Sequence, residues 1–422
     1  MVSRLGTVQR TVAAAAITGL ALAGCGGNSG SGASGEGSAS GGKTKLIWFM
    51  WSGSNAEVQA WKHLGDLVTK KYPDIELTFQ TASFNDYFTK LAAQSSGGNA
   101  PCLLGMQSLR APGLGQLLMP IDDLVKKSGV NLADFDQSIV KGLQVDGKQV
   151  AVPYDFGPLM IYYNKDMFAK AGATVPKPGW TTDDFLTAAK KLTTNGKYGF
   201  AAFPVVDWTI PFAASIYGVN PVTPDGKAQL TNPQFVKAMQ WYADLVQKEK
   251  VAPSIPATND GTWPVNQFLS GNAGMVVDGP WDLINAKSQA KFKVGLAPVP
   301  AGPNGARSVT AGSGFGISRN CKFPEQTMKA ISVITGPEAQ QYLGEQGRAF
   351  PARTAQQQYW YKNAVPGAQQ ALETANKNSE PLRATKQWNQ LSQLFTQYGI
   401  QAVNGQQPVQ TWLQNVQQQA GA

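Results

Sequence analysis

The chain has 422 residues, 42% of them hydrophobic, with a formal charge of +9, one histidine and three cysteines. That length and apolar content support substantial buried cores and more than one domain. One histidine and no Cys/His cluster with metal-ligand spacing argue against a metal centre, and a Ser-His-Asp triad would need His63 beside a cleft.

The N-terminus sets the compartment. Arg4 and Arg10 flank an uncharged, Ala-rich run from Thr11 to Ala23, which closes on Leu22-Ala23-Gly24-Cys25. The run is too short for a membrane span and has the layout of an export signal. Small residues directly before a cysteine also resemble the bacterial lipobox, in which the cysteine is lipidated and starts the mature chain. A plain secretory signal is the alternative. Residues 1–24 are therefore expected to be a lipoprotein signal peptide and Cys25 the lipidation site. Residues 25–42, almost entirely Gly, Ser and Ala, read as a flexible tether. The folded part is expected on the outer face of the cytoplasmic membrane. Without Arg4 and Arg10 the charge falls by two to +7, and no basic cluster exceeds pairs such as Lys126-Lys127 and Lys190-Lys191. This predicts no nucleic-acid partner, only mild attraction to anionic membrane or cell-wall polymer. With Cys25 given to lipid, Cys102 and Cys321 are left in an oxidising compartment, and composition leaves their pairing open.

The ordered chain reads as α/β. Leu46 to Trp51 is a near-continuous apolar strand. Ser54 and Glu57 fit a capping box for the helix that follows, with Val58, Trp61, Gly65 and Val68 on one face and Lys70, Lys71 at its end. Ile75, Leu77 and Phe79 alternate as the next strand, completing a βαβ unit whose first strand-to-helix turn is a usual ligand position. Further strands are predicted at Leu103-Leu104, Gln149 to Val152, Leu159 to Tyr163, Gly274 to Val277 and Phe315 to Ser318. Helices are predicted over Asp183 to Leu192 and Phe235 to Val246. In the Gln-rich C-terminal stretch, Leu391, Leu394, Phe395 and Tyr398 keep helical spacing, which predicts a packed helix.

His63 falls on the polar side of the first helix and reads as a solvated surface residue. Gly312-Ser313-Gly314-Phe315-Gly316 lacks the Lys-Ser/Thr ending of a phosphate loop and is expected to precede a strand. What stands out is aromatics beside short polar residues at predicted strand ends: Trp51 before Ser52, Tyr154 before Asp155, Asp207 before Trp208, and Asp278-Gly279-Pro280-Trp281. A sugar ring offers an apolar C–H face and a rim of hydroxyls, so its recognition takes an aromatic platform with carboxylate, amide or hydroxyl neighbours. Trp241, Trp360 and Trp412 sit on helical faces and read as core. Asp155 and Asp278 would also serve as the carboxylate pair of a glycosidase.

In its middle the sequence resembles the extracellular solute-binding proteins of carbohydrate ABC transporters, the family that includes maltose-binding protein. The resemblance rests on Val152-Pro153-Tyr154-Asp155-Phe156-Gly157, on Ile161 to Gly172, on Pro178-Gly179-Trp180-Thr181, on Phe268 to Met275 with Gly279-Pro280-Trp281, and on Gly347 to Arg353. One departure is Cys102, which stands after Ala100-Pro101 where the family usually has aspartate.

The resemblance implies a two-lobed, periplasmic-binding-protein-like α/β fold of type II, with a hinge and an interlobe ligand cleft. Lobe 1 is expected to comprise residues 43–154 and 312–365, and lobe 2 residues 155–311 and 366–422. It further implies a monomeric, non-enzymatic receptor without cofactor, which closes on a sugar and docks on a membrane permease. Several candidate Trp platforms lean toward a di- or oligosaccharide such as a malto-oligosaccharide. The pocket positions carried over are Trp51, Ser52, Asn55, Gln107, Asp155, Trp208, Asp278, Trp281, Gly312 and Ser313. Arg348 is expected either to donate to hydroxyls or to form a structural salt bridge. Because the family's returning strand lies antiparallel beside the earlier one, the resemblance also implies a Cys102–Cys321 disulfide at a sheet edge away from the cleft. Two other functions stay open: a receptor for glycerophosphodiesters or another anionic solute, and a lipoprotein glycosidase using Asp155 and Asp278.

Overall fold

The computed structural model describes residues 37–38, 42–258, 260–305, 308–377 and 379–420. The expected signal peptide, Cys25 and most of the tether lie outside the described residues. Within the tether, Gly37 and Ser38 pair antiparallel with Lys45 and Thr44, so this part is a strand edge and not coil throughout.

The chain opens with the expected βαβ unit. Strand β1 (Thr44–Trp51) runs parallel to β2 (Ile75–Ala82), joined by helix α1 (Asn55–Lys71). Ser54 Oγ caps α1 by accepting from the Glu57 amide, and Lys70 and Lys71 lie in its last turn, where the helix dipole favours cations. The reciprocal half of the expected capping box is absent, because Glu57 accepts from the Gly53 amide instead and turns toward the cleft. The buried stripe of α1 is Ala60, Trp61, Leu64, Leu67 and Val68. His63 is half-buried, contrary to the solvated position expected, because its ring stacks on Tyr342 with centroids 3.9 Å apart.

Strand β3 (Leu103–Gln107) joins β1 in parallel, and the long β4 (Ala151–Pro158) lies further across the same sheet. After Leu159 alone the chain enters β5 (Met160–Asn164), the centre of a second sheet. There β6 (Met275–Asp278) and β7 (Val294–Pro298) flank β5 antiparallel. Strand β8 (Ser308–Ile317) then returns between β3 and β4, antiparallel to both. The glycine-rich segment 312–316 lies within this strand and does not precede one. The first sheet thus has the order β2–β1–β3–β8–β4, and β9 (Ser379–Pro381) pairs in parallel with the start of β8.

Two apolar cores follow. The first centres on Trp48, which packs edge-to-face on Trp61, Phe79 and Phe315. The second gathers Phe185, Phe200, Phe212 and Tyr242 with the C-terminal helices. In the latter, α2 (Trp388–Val403) buries Leu391 and Phe395, as its spacing predicts, and Trp412 closes on Phe395 at 4.4 Å. Trp360 and Trp412 are fully buried.

Cys102 and Cys321 form a disulfide, with Cα atoms 4.8 Å apart. The register explains it: Ile317 faces Leu103, and Ser318 donates its amide to the Cys102 carbonyl, so the cysteines meet just beyond the paired strands. Among the described residues, no helix is long and apolar enough to cross a membrane.

Candidate functional site

Strands β4 and β8 carry the floor of a cleft of about 710 Å³, within the ~300–1,000 Å³ typical of small-molecule sites. The register of β8 with β3 and β4 aligns three sequence-predicted residues abreast: Gln107 faces Ser313, and Ser313 faces Asp155. The pairing slips between Ser313 and Gly314, leaving Tyr154 as the extra residue on β4. A bulge of this kind re-aims the side chains next to it. Tyr154 stays in the core face, stacked on Phe315 at 4.7 Å, and also lines the cleft. Gly312 is required by close approach, since a Cβ there would lie 2.3 Å from the Asp155 carbonyl oxygen.

Asp155 is buried, and its Oδ1 has no hydrogen-bond partner. Burial pushes its carboxyl up to about 6, with the Arg348 guanidinium pulling the other way. Tyr154 Oη is likewise buried and unpaired.

The wall after β6 is held from several sides. Asp278 Oδ1 accepts from the Gly279 amide at 2.7 Å, Tyr162 Oη donates to the Gly279 carbonyl at 2.8 Å, and Trp360 Nε1 donates to the Pro280 carbonyl at 3.1 Å. Gly279 must lack a side chain, because a Cβ would sit 2.2 Å from the Trp281 ring. The loop therefore fixes Trp281, which remains half-buried and lines the cleft. Burial raises the Asp278 and Asp282 carboxyls, and each gains further from neighbouring carboxylates: Glu57 for Asp278, Asp278 for Asp282. The Gly279 amide and the Trp208 and Trp281 indoles oppose this at Asp278. Trp208 Nε1 nevertheless lacks hydrogen-bond geometry and is left unpaired.

Glu57 connects both walls. One oxygen accepts from Asn285 Nδ2 at 2.9 Å, and the other lies 3.3 Å from Arg348 Nε. Asn285 also donates to Asp282 at 2.6 Å. Arg348 is buried with its guanidinium 4.5 Å from the Trp61 ring centre. Burial alone would lower its pKa, but its neighbours Tyr154, Glu57 and Asp155 outweigh that and raise it. The salt-bridge expectation for Arg348 therefore holds, although its side chain also lines the cleft.

Of the carried-over positions, Trp51, Asn55, Gln107, Asp155, Trp208, Asp278, Trp281, Gly312, Ser313 and Arg348 line this one cleft. Ser52 does not: its hydroxyl donates to the Ser54 carbonyl in the turn before α1. Trp51 contributes less than its position promised, because it packs among Phe84, Tyr87 and Phe88 and is only 6% exposed. Sequence reasoning missed Glu57, Asp282 and Asn285. Glu57 was read as a capping residue, and Asn285 carries no local signal. Among the described residues, no group of His, Cys, Asp and Glu has the arrangement of a metal site.

The chain matches the sequence profile of bacterial extracellular solute-binding proteins over residues 52–341. It belongs to that family. A binding protein of Brucella abortus (strain 2308) is 26% identical over 278 residues, 62% of this chain and 65% of the relative, so the match spans a little under two thirds of that protein. The maltodextrin-binding protein MdxE of Bacillus subtilis is 26% identical over 300 residues, covering 68% of this chain and 69% of MdxE. Among solved structures, the ABC substrate-binding protein Lmo0181 from Listeria monocytogenes, in complex with cycloalternan, superposes with a TM-score of 0.82 at 26% identity. That alignment covers 90% of this chain and 98% of Lmo0181. The fold is the two-lobed type II solute-binding fold.

Proposed function

We propose that this protein is the carbohydrate receptor of an ABC importer. It binds a di- or oligosaccharide between its lobes and delivers it to the membrane permease. The observation that carries this is one cleft lined by two half-buried tryptophans, Trp208 and Trp281, together with residues whose buried polar atoms are unpaired: Tyr154 Oη, Asp155 Oδ1 and Trp208 Nε1. Buried polar groups normally have partners. Acceptors and donors mixed beside aromatic faces suit a polyhydroxylated ring, whose hydroxyls both donate and accept. The carbohydrate ligands named for MdxE and Lmo0181 support the same reading.

In this reading residues 43–154 and 312–365 form one lobe, and residues 155–311 and 366–422 the other. Cys25 anchors the chain by lipid, and residues 25–42 tether it outside the cytoplasmic membrane as a monomer. An anionic solute is disfavoured because Arg348 is the one cationic residue lining the cleft among the described residues, and Glu57 already engages it. A glycosidase remains a second reading because both Asp155 and Asp278 are raised toward the range of a general acid.

A thermal-shift screen of monosaccharides, α- and β-linked oligosaccharides and glycerophosphodiesters tests the assignment. A ligand at ~100 times its Kd adds about 2.7 kcal/mol of stability. Stabilisation by glycerophosphodiesters alone would replace the carbohydrate reading, and turnover of a bound oligosaccharide would replace the receptor by an enzyme.

A further inference from the structure

Carboxyl groups outnumber cations in the inner cleft. Glu57, Asp155, Asp278 and Asp282 all line it and are each no more than 8% exposed, and among the described residues Arg348 is the one cation lining it with them. Asp207, at the cleft edge, is neutralised separately by Arg110. Arg348 is shared: it pairs with Glu57 and also draws on Asp155. Asp278 and Asp282 repel each other. Arg348 also draws on Asp282, whereas Asp278 has the Gly279 amide and the indoles beside it, and Asp155 Oδ1 has no partner.

A neutral sugar satisfies hydrogen bonds here and brings these carboxyl groups no counter-charge. An anionic solute adds a further like charge. A ligand bearing one positive charge favours their ionised form, and a buried carboxylate gains most from a partner of opposite charge. The surroundings of Asp278 match that requirement, since Trp208 and Trp281 line the same cleft beside it. An aromatic face next to a carboxylate holds an ammonium in two ways, through the ring quadrupole and through a charge-assisted hydrogen bond.

We propose that the cleft takes a saccharide carrying a protonated amine, an amino sugar, with the ammonium held at Asp278 beside Trp208 and Trp281. This rests on the carbohydrate-receptor reading and narrows it to a ligand class.

Calorimetric titration of the full chain with matched ligands tests it. Glucosamine, N-acetylglucosamine and glucose differ only at C2, as do their β-1,4-linked dimers; maltose and spermidine complete the set. The amine member should bind about ten- to a hundred-fold tighter than its acetylated and hydroxyl counterparts, the scale of one charge-assisted contact. In Asp278→Asn that ratio should fall toward one. Glucose, cellobiose or maltose binding as tightly as the amino sugars would overturn the amine proposal and leave the carbohydrate reading intact. Binding of spermidine with no saccharide bound, or no binding by any of the set, would overturn both. If Asp278→Asn does not fold, the ratio measured on the unmodified chain decides alone.

Discussion

Arg110 and Asp207 form a buried two-point ion pair although 97 residues separate them in sequence. Arg110 follows β3 of the first sheet, and Asp207 opens a helix, Val206–Tyr217, packed in the second core. The guanidinium lies 4.6 Å from the Phe88 ring centre and also donates to Gln107, a cleft residue. Asp207 accepts in addition from Trp388 Nε1 at 3.0 Å, at the start of α2. One buried pair thus joins the first sheet, the second core and the C-terminal helices next to the cleft.

Removing one partner leaves the other charge buried and alone. Arg110→Met is expected to lower stability by about 3–5 kcal/mol, and the double variant Arg110→Met/Asp207→Leu should recover much of the loss. Urea unfolding of both variants decides it. A single variant within about 0.5 kcal/mol of the parent would show that the pair contributes nothing.

Trp281 is held by its loop and packs partly buried against the second core, and the part of its ring that lines the cleft is available to a ligand. Trp281→Ala should weaken saccharide binding by about ten-fold to a few hundred-fold, the cost of losing ~2 kcal/mol or more from a buried aromatic contact. The melting temperature of the unliganded protein should change little. A collapsed melting temperature with unchanged affinity would make Trp281 a packing residue.

Asp155 has opposite effects on stability and binding. Its carboxyl titrates at about 6 when folded, against 3.8 ordinarily, because burial disfavours the charge. The folded state therefore holds a proton that the unfolded chain releases. The stabilising contribution is complete below pH 3.8 and is lost as pH rises through about 6. Asp155→Asn, which stays neutral, should melt higher than the parent at about pH 8 and converge with it near pH 4. The same substitution should weaken sugar binding, since an amide offers one acceptor oxygen where a carboxylate offers two. Parallel melting curves across this range would show that folding does not shift the Asp155 carboxyl.

The Cys102–Cys321 bridge closes a loop across 219 positions and lies at the sheet edge where β8 leaves β3. Cys321→Ser should cost about 2–4 kcal/mol, with ligand affinity unchanged because neither cysteine lines the cleft. A shift in affinity of tenfold or more would tie the bridge to the hinge.

Local pattern made much of this protein legible from its residues. The apolar run to Trp51, the Ser54 cap, the β5 strand and the helical spacing of Leu391, Leu394, Phe395 and Tyr398 all depend on neighbours a few positions away. The short loop Asp278 to Trp281 was legible for the same reason, since a strand end, a tight Gly-Pro turn and an aromatic lie within four residues. Errors arose where a side chain had a choice of partners. Glu57 sits at the position of a capping residue, yet the distant Arg348 and Asn285 recruit it into the cleft. Ser52 turns to its own loop, and His63 finds Tyr342.

Sequence alone determined the α/β class and supplied the residue types that line the cleft, because periodicity and composition act over short range. Tertiary structure decided which of these residues face each other. The register of β8 set Gln107, Ser313 and Asp155 in one row and brought Cys102 to Cys321. Among the described residues, the cleft walls bring one cation, Arg348, to the buried carboxyls of Glu57, Asp155, Asp278 and Asp282. Burial and long-range pairing set the charge of the site, and neither is a property of any segment read by itself.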